Sequence, residues 1–578
     1  MALGVLLAVS ALLYASGLDR VPMHLHHDEI YFGLNAHAIA ETGRDPLGRF
    51  LPVLFRMGET YNWYPPLIIY FNALWLKVLP LSEIAVRIPN ACIGLIDIVL
   101  MFFVARRMFT HSWLAVAAAA MLAFTPAHFM NSRIATDSLY PVTFALGWLW
   151  LIQRYEERPS SQTLFAAATV LGIGVYSYIG SVVSMPTYFL LTVGLLSAGR
   201  RPAAAFAVSA AGFAAPLVVG LVFIALHPEV IGQYAAKYQL SAGPQLNVFQ
   251  QVREALTLSN ISDHLNLFYS AFSPGYLFVT GGSNLAHSTR TAGVFLAPLA
   301  LLIPLGIVDT IARPTRIKVL ALLGFLLTPL ASAIVNEPFA IPRMLGFVAF
   351  GVLLATIGLQ QLWHAKLQRF PRVPLAAASA GLVLVGLGYG AWMAIREGHL
   401  SASAIVLVAA GAGAWLACDA TARRHDYRTV TVMLAALMAG QFAFFAVDYF
   451  GPYRARSAAR YEYNISGAIE QAIAVHGRQP SARFYVNDDI LFVRGYWDFY
   501  LRMLNRRDLL DKAVWFNSEN GLPPDVDRGG VIVTDTNDRA MRRLSEMPAL
   551  VIVAYATDPV PDSDPPGERR SFAIFQKQ

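Results

Sequence analysis

The residues best suited to chemistry sit together near the start of the chain, in "HLHHDE", residues 24–29. Asp28 and Glu29 are adjacent acids. Two carboxyls side by side repel as anions, so one becomes the better proton acceptor, and a general base is the chemistry expected of such a pair. The competing expectation is a solvated acidic helix end. His24, His26 and His27 add three imidazoles, which with carboxylates are zinc-ligand types. Adjacent residues on a helix point about 100° apart, so His26 and His27 lack the i, i+4 spacing of a helical zinc pair. The residue types allow a divalent metal, the spacing does not support one, and no cofactor is required. His27 is expected instead to hydrogen-bond a carboxylate or a substrate phosphate.

Further candidates are scattered. In "FTPAHFMNSRIATDSLYP" Arg133 and Asp137 stand four apart, close to His128. They are read either as an ion pair on one helical turn or as a phosphate-binding Arg that orders the carboxylates. Arg87 in "SEIAVRIPNACIG" and Arg343 in "NEPFAIPRMLG" each precede an apolar run. Each is read as a membrane-surface anchor or as a fork for a lipid phosphate. His287, Ser288 and Arg290 lie beside Gly281-Gly282, which has neither the spacing nor the context of a nucleotide-binding fingerprint. There is no P-loop, Rossmann fingerprint or GxSxG.

The segments that must carry these groups are apolar. Of 578 residues 56% are hydrophobic and 14% charged, against about 25% charged in a soluble domain. Mean hydropathy is +0.49. This is the composition of an integral membrane protein. The net charge of +7 comes from short basic clusters between apolar runs, a membrane-topology pattern and not a nucleic-acid one. Cys92 and Cys418 fall in apolar stretches, which excludes a disulfide framework and a Cys-based zinc site.

Runs of about 20 apolar residues predict a polytopic α-helical membrane protein of thirteen spans: 2–18, 88–105, 112–130, 138–153, 162–180, 182–199, 203–226, 291–312, 317–335, 343–363, 374–394, 402–420 and 429–447. The first is read as a retained helix and not a signal peptide. The turns after even-numbered spans, "ARRMFTH", "QRYEERPS", "AGRRP", "ARPTRIK", "HAKLQRFPR" and "TARRHDYR", are all basic. The positive-inside rule then puts the N-terminus in the cytoplasm and the C-terminus outside. Two long outer loops follow, at about 19–87 and 227–290, within a membrane domain of residues 1–450. The first contains the aromatic segment "ETYNWYPPLIIYFNALWLKVLP", expected to lie along the membrane surface. Residues 451–578 carry no spanning run. "SARFYVND", "GGVIVTDT", "ALVIVAYA" and "SFAIFQKQ" read as strands, interleaved with helices, which predicts a small α/β extracytoplasmic domain.

The order of these features resembles the PMT-like GT-C superfamily of membrane glycosyltransferases, in particular bacterial glycosyltransferase family 39 and the aminoarabinose transferase relatives. It consists of a first span, "DE" at its outer end, a long loop with "PPL", an Arg heading span two and "SR…D" after span three. The resemblance covers roughly residues 1–360, and its best part runs from Asp28 to Asp137. It implies a GT-C fold and transfer of a hexose or pentose from a polyprenyl (undecaprenyl-type) phosphate donor. The acceptor would be a lipid, polysaccharide or protein hydroxyl on the outer face of a bacterial inner membrane. Asp28 falls where the family has its catalytic acid, with Glu29 beside it, and inversion at the anomeric carbon follows. Arg87, Arg133 and Arg343 are then candidates for the leaving phosphate. Many bacterial relatives carry a phosphate-binding Lys directly before Pro-Pro; here that position is Tyr64. Some relatives hold a metal in this loop, but its ligands are not reproduced.

Two other functions compete. A transporter or flippase of lipid-linked sugars requires ionisable residues near the middle of the spans, where Asp97 is one of few. A non-catalytic envelope assembly protein would use residues 451–578 for partner binding.

Overall fold

The computed structural model describes residues 1–58, 63–237, 258–333, 338–364, 372–397, 402–421, 428–517, 519–521, 525–536, 539–560 and 568–578. By compactness the chain divides into two units. The first comprises Met1–Ser16, Val53–Ile68 and Asn90–Asp448, and the second Gly17–Pro52, Ile69–Pro89 and Tyr449–Gln578.

The first unit is helical. Its leading elements are α1 (Ala2–Ala15), the part of α4 (Glu83–Met108) that starts at Asn90, α5 (Ser112–Ala123), α6 (Pro126–Asn131), α7 (Tyr140–Glu157), α8 (Ser161–Gly174), α9 (Ser181–Ala198) and α10 (Ala203–Leu226). Among the described residues six helices are long and apolar enough to cross a membrane: Glu83–Met108, Ser181–Ala198, Ala203–Leu226, Arg316–Ala333, Gly346–Trp363 and Val430–Phe450. Shorter apolar helices stand at the other expected spans, except that α7 is longer and ends in a charged turn. The run 112–130 is not one helix. Pro126 has no N–H to donate, so it opens a new helix after the break at Phe124-Thr125. The run from 291 begins its helix only at Leu299. The loop 227–290 holds helices at Glu229–Lys237 and Leu258–Ser270, and its residues 238–257 lie outside the described ones.

Four of the basic turns meet at one end of this unit. Arg107 pairs with Glu157, Arg201 with Glu156 at 3.3 Å, and Arg316 with Glu156 at 2.7 Å. They belong to the turns after expected spans two, four, six and eight, so the charge pattern groups helix ends that are neighbours in space. The turns "HAKLQRFPR" and "TARRHDYR" lie largely outside the described residues. Helices Leu299–Ala312 and Gly346–His364 approach closely through glycines. A Cβ on Gly306 would run into the Leu354 carbonyl, and one on Gly358 into that of Leu302, the small-residue packing that membrane helices use in place of a hydrophobic drive.

The second unit is built on a five-stranded sheet in the order β4-β3-β5-β7-β6. The strands are β3 (Phe484–Asn487), β4 (Ala513–Phe516), β5 (Val531–Asp535), β6 (Leu550–Pro559) and β7 (Glu568–Lys577). β3 is parallel to β4 and β5, whereas β7 runs antiparallel to β5 and β6. All four residues of β3 are buried, as a central strand covered on both faces requires. β4 has no counterpart among the strands expected from sequence. α2 (His27–Thr42) belongs to this unit and packs on the helix Val493–Met503. Gly33 allows that approach, since a Cβ there would sit 2.8 Å from the Phe499 ring. The loop ahead of α2 is tied to the sheet by His24, whose Nε2 lies 2.7 Å from Asp558 Oδ1. Burial works to raise the Asp558 carboxyl, but hydrogen bonds from His24, Ser571 and the Asn464 N–H outweigh it and hold it below its usual range.

Candidate active site

The acidic pair is divided by the helix that carries it. α2 starts with a capping box. His26 Nδ1 accepts from the Asp28 N–H at 3.3 Å, and Glu29 Oε2 accepts from the His26 N–H at 3.0 Å. Such reciprocal bonds satisfy amide donors that a helix start leaves open. Glu29 is thereby turned inward, and it meets Arg87.

Arg87 is sealed from solvent. Its Nε and Nη2 each donate to one Glu29 oxygen at 2.8 Å. The remaining donors go to the carbonyls of Leu18 at 2.6 Å, Pro22 at 2.9 Å and His24 at 2.6 Å. A guanidinium has five N–H donors, and these five bonds use them all. The expectation that Arg87 clamps a phosphate is therefore corrected: it has no donor left. The same pairing corrects Glu29 as a catalytic candidate, because a 2% exposed carboxylate bound by a guanidinium fork is a poor proton acceptor. Its bonds tie the first turn of α2 to Arg87 and to the His26 N–H.

Asp28 is the member of the pair left at the surface, with its side chain 37% exposed. Its oxygens lie 3.6 Å from His26 Nδ1 and 3.7 Å from His27 Nε2. His27 has its Nδ1 2.7 Å from Glu462 Oε1, and Phe492 stacks on its ring at 4.0 Å. Glu462 Oε2 in turn accepts from the Tyr496 hydroxyl at 2.8 Å. Burial first, and the Glu462 charge next, push that hydroxyl well above its usual range, so it stays a donor. Glu462, Phe492 and Tyr496 were invisible to sequence reading. They lie more than four hundred residues from His27, and no local pattern marks them.

His26, His27 and Asp28 each offer a ligand atom within 4.8 Å of the others. The His26 nitrogen facing Asp28 is Nδ1, which already caps the helix. A metal held through that nitrogen would displace the cap bond of α2, whereas His26 Nε2 is buried with no hydrogen-bond partner.

The other candidates belong to the first unit. Arg133 is also sealed. Its Nη1 donates to the carbonyls of Leu13 at 2.5 Å and Tyr14 at 2.9 Å, and its Nη2 to that of Ser16 at 2.6 Å. It caps the C-terminal end of α1, where carbonyls lack partners and a cation suits the helix dipole. Asp137 opens a separate 3-10 turn, because α6 stops at Asn131, so the two do not share a helical turn as expected. His287 is half-buried, with Nδ1 2.9 Å from Asn131 Oδ1. Arg290 is exposed in the left-handed region at φ 63°, and Arg343 is half-buried in the turn Ile341–Met344. Asp97 is buried with His128 at 3.3 Å and accepts from Thr143 at 2.6 Å. Tyr64 is in β2 (Trp63–Tyr64), paired antiparallel with β1 (Phe55–Arg56). Arg56, which the sequence did not single out, lies opposite Trp63, its guanidinium 5.9 Å from the ring centre.

Residues 64–224 match the family described as dolichyl-phosphate-mannose-protein mannosyltransferase. Among solved structures, ArnT from Cupriavidus metallidurans bound to undecaprenyl phosphate superposes with a TM-score of 0.57 at 14% identity, covering 99% of this chain and 97% of that one. The chain has the PMT-like GT-C fold. The apo state of the same ArnT gives the same values. A weaker likeness, TM-score 0.47 at 12% identity, is to the oligosaccharyltransferase of Archaeoglobus fulgidus, over 92% of this GT-C chain and 69% of that one. No curated protein sequence matches significantly.

Proposed function

We propose that this GT-C chain transfers a monosaccharide from a polyprenyl-phosphate-linked donor to an acceptor hydroxyl, with Asp28 as general base. The observation that carries the reading is the division of labour in the acidic pair. Glu29 is consumed by Arg87, while Asp28 keeps an exposed carboxylate at a helix N-terminus beside His27. An ionised acid is favoured at that end of a helix.

In this mechanism Asp28 removes the proton of the acceptor hydroxyl as its oxygen attacks the anomeric carbon. The bond from that carbon to the phosphate oxygen breaks on the opposite side, its electron pair leaves with the polyprenyl phosphate, and the centre inverts. The departing charge needs donors. Arg87 and Arg133 have theirs committed to Glu29 and to backbone carbonyls. Arg56, Arg290 and Arg343 are the basic groups proposed for it, on their charge alone, with Tyr64, Asp137 and His287 lining the donor or acceptor. The setting proposed is the outer face of a bacterial inner membrane, with thirteen spans, a cytoplasmic N-terminus and the sheet of residues 451–578 outside. The ArnT relative has been solved with undecaprenyl phosphate, which makes a lipid of that class the donor carrier to try first.

The test is Asp28→Asn in the full-length protein in nanodiscs, assayed for undecaprenyl phosphate release from a panel of undecaprenyl-phosphate monosaccharides. Turnover is expected to fall by about 10²–10⁴-fold with unchanged thermal unfolding. Full turnover in this variant would overturn the reading.

A further inference from the structure

His27 is held from behind, and the holding group comes from the far end of the sequence. Glu462 Oε1 lies 2.7 Å from His27 Nδ1, 435 residues away along the chain. A carboxylate accepts and cannot donate, so this contact puts a proton on Nδ1. In the neutral ring Nε2 then carries the lone pair, and Nε2 is the nitrogen 3.7 Å from Asp28 Oδ1. The ring cannot swing away easily, because Phe492 stacks on it at 4.0 Å and the His26 ring lies 3.9 Å from it. Glu462 is itself fixed. The Tyr496 hydroxyl lies 2.8 Å from both Glu462 Oε2 and the Leu25 carbonyl.

The backbone adds an independent observation. Glu462 and Phe492, which hold His27 by a hydrogen bond and by ring stacking, have φ of 54° and 58°. Neither is a glycine, and the left-handed region is sterically unfavourable for an L-residue. Local strain of this kind persists where the surrounding fold imposes it, and it collects at functional sites.

We infer that Glu462 and His27 are positioning residues for Asp28, which makes residues 449–578 part of the catalytic apparatus and not only a recognition module. The inference rests on the reading of Asp28 as the base. Once Asp28 has taken the acceptor's proton, His27 Nε2 receives it. The ring becomes an imidazolium with its Nδ1–H on Glu462, Asp28 is again an anion, and the proton passes on to solvent or to the released phosphate. No bond other than O–H and N–H changes in this relay. The charged and titratable groups around His27 are Asp28, His26 and Glu462, with Arg460 acting on His26.

The experiment uses the full-length chain in nanodiscs with the same donor panel and the variants Glu462→Ala, Glu462→Gln and Asp28→Asn. Glu462→Ala is expected to lower kcat at least about 10-fold with KM for the donor within about 3-fold, the pattern of a group that acts on the transition state alone. Glu462→Gln can still accept from Nδ1–H and should recover part of kcat. Wild-type kcat and pH profile in Glu462→Ala would overturn the inference, as would a loss confined to KM or matched by a fall in melting temperature. If Asp28→Asn is inactive while Glu462→Ala is normal, only the positioning role fails; if Asp28→Asn is active, the base assignment fails with it. Nitrogen-15 NMR of labelled histidines, with His27→Gln to assign the signal, needs no donor. The Nδ1–H tautomer is expected in the wild type and a mixture in Glu462→Ala. An Nε2–H wild-type ring would overturn the inference by itself.

Discussion

Arg87 and Glu29 form a sealed two-bond ion pair, both bonds 2.8 Å. The pair is structural, and its removal should show as instability. Arg87→Ala leaves Glu29 buried and uncompensated, which costs about 3–5 kcal/mol. Thermal unfolding in nanodiscs should register this as a large drop or as failure to recover folded protein. Glu29→Gln should behave alike. A Glu29→Gln protein with normal stability and no turnover would instead return Glu29 to the catalytic role.

Arg133 is predicted to act on α1 and not on substrate. Arg133→Ala frees the carbonyls of Leu13, Tyr14 and Ser16, and leaving such groups buried without partners costs at least about 2 kcal/mol. Limited proteolysis near residue 16 should accelerate. A raised donor KM at unchanged stability would identify a phosphate contact.

Arg56 is predicted to act on the donor. It is half-buried on β1, opposite the strand that holds Tyr64. Arg56→Ala should raise the KM for an undecaprenyl-phosphate sugar about tenfold, the weight of roughly one charge-assisted contact, with little change in melting temperature. An unchanged KM would remove Arg56 from the donor site.

His26 predicts a pH dependence. Burial holds its pKa below the usual value, with Asp28 and Glu462 acting against that shift and His27 with it. The unfolded chain therefore takes up this proton more readily than the folded one. The stability contribution is complete above about pH 6.5 and declines as pH falls below it, toward the folded value. His37 and His476, also lowered by burial, add to the slope. His26→Asn keeps a capping side chain but does not titrate. It should reduce the slope of stability with pH by up to about 1.4 kcal/mol per unit, measured as melting temperature from pH 7 to 5. An identical slope would show that His26 is not buried neutral.

Much of the helical layout was legible because apolar runs and basic turns are local signals. The turns at Arg107, Arg201 and Arg316 meet as the charge alternation implies. The break at Pro126 was missed because run length was weighed above proline chemistry. Four strands of the sheet were visible as β-branched and aromatic runs, whereas Ala513–Phe516 was not singled out. At the site, the fates of the residues beside Asp28 were not readable. Whether an arginine meets a phosphate or five acceptors of its own chain depends on residues brought together only by folding, and for Arg87 the fold supplied all five. Glu462 had no signature because its partner is remote in sequence.

The grouping of residues 17–52 and 69–89 with 449–578 bears on how such proteins can diversify. A C-terminal segment that closes only on itself can be exchanged between relatives by one crossover. Here an exchange at residue 449 would strip His24 of Asp558, His27 of Glu462 and Glu83 of Tyr500 in a single event. The segment and the early loop must therefore be inherited together, and a working chimera requires three matched replacements along the gene.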